Sequence, residues 1–318
     1  MVNPELRRIA DQQGGVVSSR QAAQAGYTRE QIRERLADGR WRRVRYGQYA
    51  DRVDLGDMPP WERQLFHHKQ LVHAAINSMR SDSAVVSHHS ALVLHGVPVW
   101  GVDLSEVQLT RTTLRTGSNA GVRHHRGLFD PADLTEVDGL MGSTVARAVA
   151  ESAACTSLES GVVSVDAALR DGRIAPGELD RLVEQTEFWP GGPAIRAAFA
   201  FANPLSESVG ESRMRVLMHN QGLPPPILQA TFENEDGFIG RTDFFFVEEG
   251  TIVEFDGLQK YADGSREGLI REKVREDRLR ALGFEVVRTT WADLNQPPRT
   301  ARRIREGFAR ARAMRRAG

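Results

Sequence analysis

The stretch RTDFFFVEEGTIVEFDG, residues 241–257, is apolar enough to be core and yet carries Asp243, Glu254 and Asp256. An ionised carboxylate is costly to bury without a partner, so whatever fold forms here must neutralise three of them. The residues flanking Glu249-Gly250 read as two strands of a hairpin. With those two residues as the turn, Glu248 pairs with Thr251, Asp243 lies opposite Asp256 and Phe245 lies opposite Glu254. Side chains alternate along a strand, which puts Asp243, Glu254 and Asp256 on one face and Phe244, Phe246, Val253 and Phe255 on the other. The second face is core. The first holds Phe245, Val247 and Ile252 beside the acids and is therefore partly covered. Like charges placed together there ask for a cation, and a hard divalent ion suits carboxylate oxygens. The alternative is a solvated acidic face on a half-exposed hairpin.

The neighbouring segments extend this unit. SESVGESRMRVLMHNQG reads as a helix carrying Glu207, Glu211 and Arg215 at spacings of four. Lys260 follows the hairpin in GLQKYADG; LIREKVREDRLRALG reads as a helix stopped at Gly283, and FEVVRTTW as a strand. The order is helix, hairpin, helix, strand. Through E-S-x-x-R (Glu211 to Arg215), R-x-D-F (Arg241 to Phe244), V-E-F-D-G (Val253 to Gly257), E-K-x-R-E-x-x-L-x-x-x-G-F (Glu272 to Phe284) and V-R-x-T-W (Val287 to Trp291), residues 205–295 resemble the PD-(D/E)xK nuclease fold, in the branch related to the very-short-patch-repair endonuclease.

The resemblance implies a C-terminal α/β restriction-endonuclease-like domain that hydrolyses phosphodiesters with Mg²⁺ or Mn²⁺. Asp243 and Glu254 match its two metal-binding acids, and Glu211 the assisting helix acid. Asp256 stands where the pattern has lysine, which that branch also lacks; it joins the implied metal set, and Lys260 and Lys273 are the lysines near enough to compensate. In such a site the metal polarises the phosphoryl oxygen and activates water.

The other end of the chain has a different grammar. PELRRIADQQ begins with a helix-compatible proline and stops at Gly14-Gly15. Ser18 with Gln21, and Thr28 with Gln31, have capping-box spacing and open two more short helices. In the third, Ile32 and Leu36 face inward. WRRVRYGQYA then forms a small ribbon turning at Gly47. Three short helices and a ribbon make the pattern of a winged helix-turn-helix, whose third helix can enter a major groove.

Residues 28–46 hold seven arginines (Arg29, Arg33, Arg35, Arg40, Arg42, Arg43, Arg45) against three acids, a field suited to DNA phosphates although the net charge is zero. A small helical domain with a solvated basic face is the plainer alternative. On its A-x-x-x-G step (Ala22 to Gly26), G-x-W-x-R-V run (Gly39 to Val44) and Y-G-x-Y-A close (Tyr46 to Ala50), this segment resembles the N-terminal winged helix of AbiEi-family antitoxins. Those are DNA-binding partners of nucleotidyltransferase toxins in type IV toxin–antitoxin systems.

Between these ends, the polar DRVDLGDMPP (51–60) and FANPLSESVG (201–210) read as boundaries. The resulting expectation is an α+β multidomain chain: a winged helix at 1–52, a mixed α/β middle domain at 61–200 similar to the central region of actinobacterial AbiEi relatives, the nuclease-like domain at 205–295, and a basic helix at 296–318 whose eight arginines would track a nucleic-acid backbone. The middle histidines (67, 68, 73, 88, 89, 95, 124, 125) lack zinc-ligand spacing and read as satisfied or surface side chains. Cys155, the single cysteine, reads as core packing and fits a reducing cytoplasm, and neither a signal-peptide core nor a membrane-spanning run is present. Two functions follow, a DNA-binding protein with a metal-dependent endonuclease domain or a non-enzymatic antitoxin-type regulator; a scaffold without a nucleic-acid role is a third, weaker reading.

Overall fold

A computed structural model describes residues 3–79, 84–112, 116–235, 237–257 and 266–317. The first elements are α1 (Pro4–Asp11), β1 (Val16–Ser18), α2 (Ser19–Gln24), α3 (Arg29–Ala37), β2 (Trp41–Arg45) and β3 (Gln48–Asp51). Both expected capping boxes are present, at Ser18/Gln21 and Thr28/Gln31, and they fix where α2 and α3 begin. The ribbon β2–β3 gains β1 as a third strand, in the order β1-β3-β2. Leu6, Val17, Ala22, Ile32, Trp41 and Tyr49 fill the small core between the helices and this sheet.

The middle region contains α4 (Pro60–Asn77), β4 (Val85–Val86), α5 (His88–His95), β5 (Val107–Arg111), β6 (Gly117–Asn119), β7 (Val122–Arg126), β8 (Leu134–Val137), β9 (Leu140–Ser143), α6 (Val145–Cys155), α7 (Leu158–Arg170), α8 (Pro176–Gln185) and α9 (Gly192–Phe201). Its strands form one mixed sheet, ordered β6-β7-β5-β4-β9-β8. Expected core residue Cys155 instead ends α6 in an exposed position, just past the buried run Arg147–Ala153.

Several histidines here are held by hydrogen bonds and stacking, whereas His73 Nδ1, His89 Nε2 and His124 Nδ1 are buried without a hydrogen-bond partner among the described residues. His68 contacts the Leu104 carbonyl at 2.8 Å and Ser90 Oγ at 2.9 Å, and His95 meets the Ser143 carbonyl at 2.9 Å. His88 stacks on His125 at 3.7 Å. Beside them, Glu151 accepts from the His88 backbone N–H (3.1 Å) and from Arg147 Nε (2.9 Å).

The last region runs α10 (Val209–Asn220), β10 (Ile227–Asn234), β11 (Gly237–Phe246), β12 (Thr251–Asp256), α11 (Arg266–Ala281), β13 (Glu285–Thr290), α12 (Trp291–Leu294) and α13 (Pro297–Ala317). The strands lie in chain order, antiparallel except for the parallel β12–β13 pair. One face buries Phe244, Phe246, Val253 and Phe255 with Met214, Met218, Ile304 and Phe308. The other buries Ile252 with Ile239, Leu279 and Val286, and half-buried Phe245 packs against them. Gly210 lets α10 pass so close to β12 that a Cβ there would lie 2.0 Å from the Phe255 ring.

By contacts the chain divides into two units, residues 1–164 with 173–197 and residues 165–172 with 198–318. The winged helix and the middle sheet thus share one unit. Among the described residues, no helix is long and apolar enough to cross a membrane.

The buried histidines give the first unit a pH signature. Burial depresses His68 to about 4 and His88 to about 3, against about 6.5 in an unfolded chain. Between those values the unfolded chain binds protons that the folded one refuses, so stability falls as pH drops below 6.5. Each of the two contributes up to about 1.4 kcal/mol per pH unit, with Glu151, raised by burial, acting in the opposite sense. The urea midpoint of this unit should be lower at pH 5 than at pH 7.5, and His68→Gln should flatten the difference. Equal midpoints in the native protein would contradict the assignment.

Candidate functional site

Two sets of charged residues stand out, one on the winged helix and one on the C-terminal sheet. On the first, α3 presents Arg29, Glu30, Arg33 and Glu34 to solvent while Ile32 is buried beneath them. At the ribbon tip Gly47 takes φ 71°, the left-handed turn that glycine adopts freely, and leaves Tyr46 94% exposed.

The seven arginines do not share one fate. Arg29, Arg33 and Arg43 are exposed. Arg40 is exposed but tied to Asp38, whose carboxyl its hydrogen bond holds below the usual range. Arg35 lies over the rings of Tyr27 and Trp41, 5.0 and 5.4 Å from their centroids. Arg42 turns inward, donating to Gln70 and meeting His67 Nδ1 at 3.0 Å, both on α4. Arg45 donates to the Ala120 carbonyl in the β6–β7 turn at 2.9 Å. Sequence alone cannot separate these groups, because Arg42 and Arg45 look as free as Arg43 until α4 and the β6–β7 turn are in place.

On the C-terminal sheet, the hairpin turn falls at Val247–Gly250, one residue earlier than the expected Glu249-Gly250 centre, closed by Gly250 N–H donating to the Val247 carbonyl. Phe244 therefore pairs with Val253 and Phe246 with Thr251. Continued one step, this register sets Asp243 opposite Glu254, and the expected Asp243–Asp256 and Phe245–Glu254 pairs do not form. The faces survive the correction, since moving a hairpin turn by one position exchanges partners without exchanging sides.

The neutralising charge comes from two arginines. Arg275 Nη2 of α11 donates to both Glu254 oxygens at 2.7 Å and also to Glu272. Arg288 of β13 donates to Asp256 at 3.0 Å, to Glu272 at 2.6 Å and to Glu276 at 2.8 Å. The two guanidiniums thereby thread four carboxylates. Burial pushes the Glu254 carboxyl up against their pull, while its hydrogen bond to Arg275 holds Glu272 at about 2. Gly240 makes room for this: a Cβ there would sit 2.9 Å from Arg275 Cδ.

Asp243 and Glu211 have further partners. Asp243 accepts from the Phe255 N–H at 2.7 Å. Buried Glu211, in the first turn of α10, accepts from the Glu207 N–H (2.9 Å), Ser208 Oγ (2.9 Å) and Gln229 Nε2 (3.0 Å). Burial raises its carboxyl, and the charge of Asp243 adds to the effect. Gln229, set opposite Asp243 by the β10–β11 register, has φ 53°, a strained value for a residue with a side chain.

Tested against a divalent ion, these residues fit poorly as arranged. Glu254 and Asp256 already face guanidiniums, and among the described residues no three His, Cys, Asp or Glu side chains converge as a metal set. Lys260 lies outside the described residues, and Lys273 is exposed on α11. The basic helix α13 packs on the sheet, where Arg303, Arg310 and Arg312 pair with Asp293, Glu285 and Glu249. Arg275 and Arg288 stand in the segments EKVREDR and VRTTW, but the strand acids they meet, Glu254 and Asp256, are remote in sequence.

The comparisons bear on the N-terminal region. Residues 4–50 match the family described as "Transcriptional regulator, AbiEi antitoxin". Over these residues the chain is similar to AbiEi antitoxins. Two curated proteins of Mycobacterium tuberculosis, "Uncharacterized protein MT2308" of strain CDC 1551 / Oshkosh and "Uncharacterized protein Rv2248" of strain ATCC 25618 / H37Rv, are each 28% identical to this chain over 288 residues. The similarity covers 90% of this chain and 98% of each relative, so it extends through the middle and C-terminal regions as well as the AbiEi domain.

The arginine-bound acids yield a stability prediction. Replacing Arg275 with alanine leaves the Glu254 carboxylate, whose side chain is 2% exposed, with Arg288 at 3.4 Å as its one cation among the described residues. Loss of a buried pair's partner should cost about 3 kcal/mol in urea unfolding. Adding Glu254→Gln to that variant should recover much of the loss, and additive effects in this double-mutant cycle would disprove the coupling.

Proposed function

We propose that the protein is a DNA-binding transcriptional regulator of the antitoxin type. The observation that carries this reading is the capped helix α3, with Arg29 and Arg33 exposed, inside a domain that matches the AbiEi antitoxin family. α3 is of a size to lie in a major groove of duplex DNA, with Arg29 and Arg33 reaching base edges or phosphates and Arg43 and Tyr46 meeting the backbone from the ribbon. A cognate nucleotidyltransferase toxin is the protein partner that the family resemblance suggests.

The test is fluorescence anisotropy with duplex DNA from upstream of the gene. Arg29→Ala and Arg33→Ala should each weaken binding about five- to thirtyfold, equivalent to about 1–2 kcal/mol, and should flatten the salt dependence. Arg43→Ala should have a smaller effect. Unchanged affinity in the Arg29/Arg33 double variant would remove α3 from the interface.

A second reading, Mg²⁺- or Mn²⁺-dependent phosphodiester cleavage by the C-terminal unit, is favoured by one observation: strained Gln229 faces Asp243 while holding Glu211. In that reading Asp243 and Glu211 act together, and Glu254 contributes only once Arg275 has left it. Supercoiled plasmid incubated with either ion decides between the readings. The regulator reading expects no nicking; nicking lost in both Asp243→Ala and Glu254→Ala would establish the enzymatic one.

A further inference from the structure

The ribbon does not end the basic surface. Arg45 reaches the β6–β7 turn, and on the adjoining sheet β5 and β7 run parallel with Leu109 beside His124 and Arg111 beside Arg126. Paired residues of neighbouring strands share a face, so His124, Arg111 and Arg126 project from the same side. Like charges in adjacent positions are destabilising unless something compensates them.

Within the protein the compensation is incomplete. Arg45 Nη1, Arg111 Nε and His124 Nδ1 are all buried, and none has a hydrogen-bond partner among the described residues. The hydrogen bonds described for these side chains are to neutral acceptors: Arg45 Nη2 with the Ala120 carbonyl, Arg111 Nη2 with the Met79 thioether at 2.7 Å. Both guanidiniums lie near enough to His124 to add to the burial that lowers its pKa. Buried donors without acceptors are exceptions that ask for an explanation.

We infer that Arg45, Arg111 and His124 form an anion site for a phosphate-type oxyanion, and that its occupant is a backbone phosphate of the DNA held by the winged helix. One tetrahedral oxyanion offers acceptors to Arg45 Nη1, to Arg111 Nε and to His124 in its Nδ1–H tautomer, and it neutralises the Arg111–Arg126 pair. Arg45 belongs to the ribbon and Arg111 to the middle sheet, so the phosphate would bridge the AbiEi domain and the sheet beside it. The choice of DNA over free phosphate rests on the regulator reading; the anion site itself does not.

The experiment uses the full-length protein and Arg111→Gln, which lies outside the winged helix. In the DNA arm, anisotropy with the upstream duplex is followed across a salt series. Arg111→Gln should weaken binding about tenfold and reduce the log–log salt slope by about one, with circular dichroism confirming an unchanged fold. In the free-anion arm, thermal melts of the DNA-free protein are taken with inorganic phosphate.

A lowered DNA affinity and slope without a phosphate-induced shift in melting supports the proposal as stated. A phosphate-induced shift lost in Arg111→Gln, with DNA affinity unchanged, keeps the anion site and overturns its assignment to DNA. If Arg111→Gln alters neither measurement while Arg29→Ala still weakens DNA binding, the site is wrong and the regulator reading stands. If the native protein binds no DNA, that reading fails, and the phosphate arm alone decides the site.

Discussion

The C-terminal unit depends on how it neutralises carboxylates that its strands bury. Glu254 and Asp256 lie in a strand whose six residues are all buried, and two guanidiniums supply the countercharge. Because Arg275 comes from α11 and Arg288 from β13, the same contacts that satisfy the acids fasten a helix across the sheet and lock a parallel strand pair in register. Ion pairs of this kind owe their consequence to desolvation: the attraction is modest in net terms, but losing one partner strands the other. Gly240 belongs to this arrangement, since the space above its Cα is where the Arg275 side chain runs.

A similar division of labour shapes the winged helix. Its arginines form one block in sequence and four groups in space: those exposed on α3 and β2, Arg40 tied to Asp38, one laid over Tyr27 and Trp41, and two that hold the ribbon against α4 and the β6–β7 turn. Charge density along the chain therefore overstates the surface available to a polyanion. Arg45 also carries the basic character beyond the ribbon, toward His124.

Local chemistry was the legible part. Capping boxes at Ser18 and Thr28, the alternation that sends Phe244, Phe246, Val253 and Phe255 to one face, and the order of helix, hairpin, helix and strand are all encoded within a few residues. Short or edge elements were not. β1 has only three residues, and β10 follows a run of prolines with no alternation strong enough to announce it. The turn position escaped because Glu248, Glu249 and Gly250 offer two centres of similar quality. The neutralising partners escaped for a deeper reason. Three interleaved acids state that a cation is required, but nothing local distinguishes a metal from a guanidinium 21 or 32 residues away.

The inward-facing arginines of the ribbon have a consequence for modularity. DRVDLGDMPP looks like a hinge at which the first fifty or so residues could be cut away or exchanged. Yet Arg42 is bonded to α4, and Gln13 accepts from Asn77 at the far end of that helix. The linker therefore does not mark a structural boundary, since residues on both sides of it belong to one compact unit. A transplanted N-terminal domain would need a host helix presenting the same glutamine, histidine and asparagine.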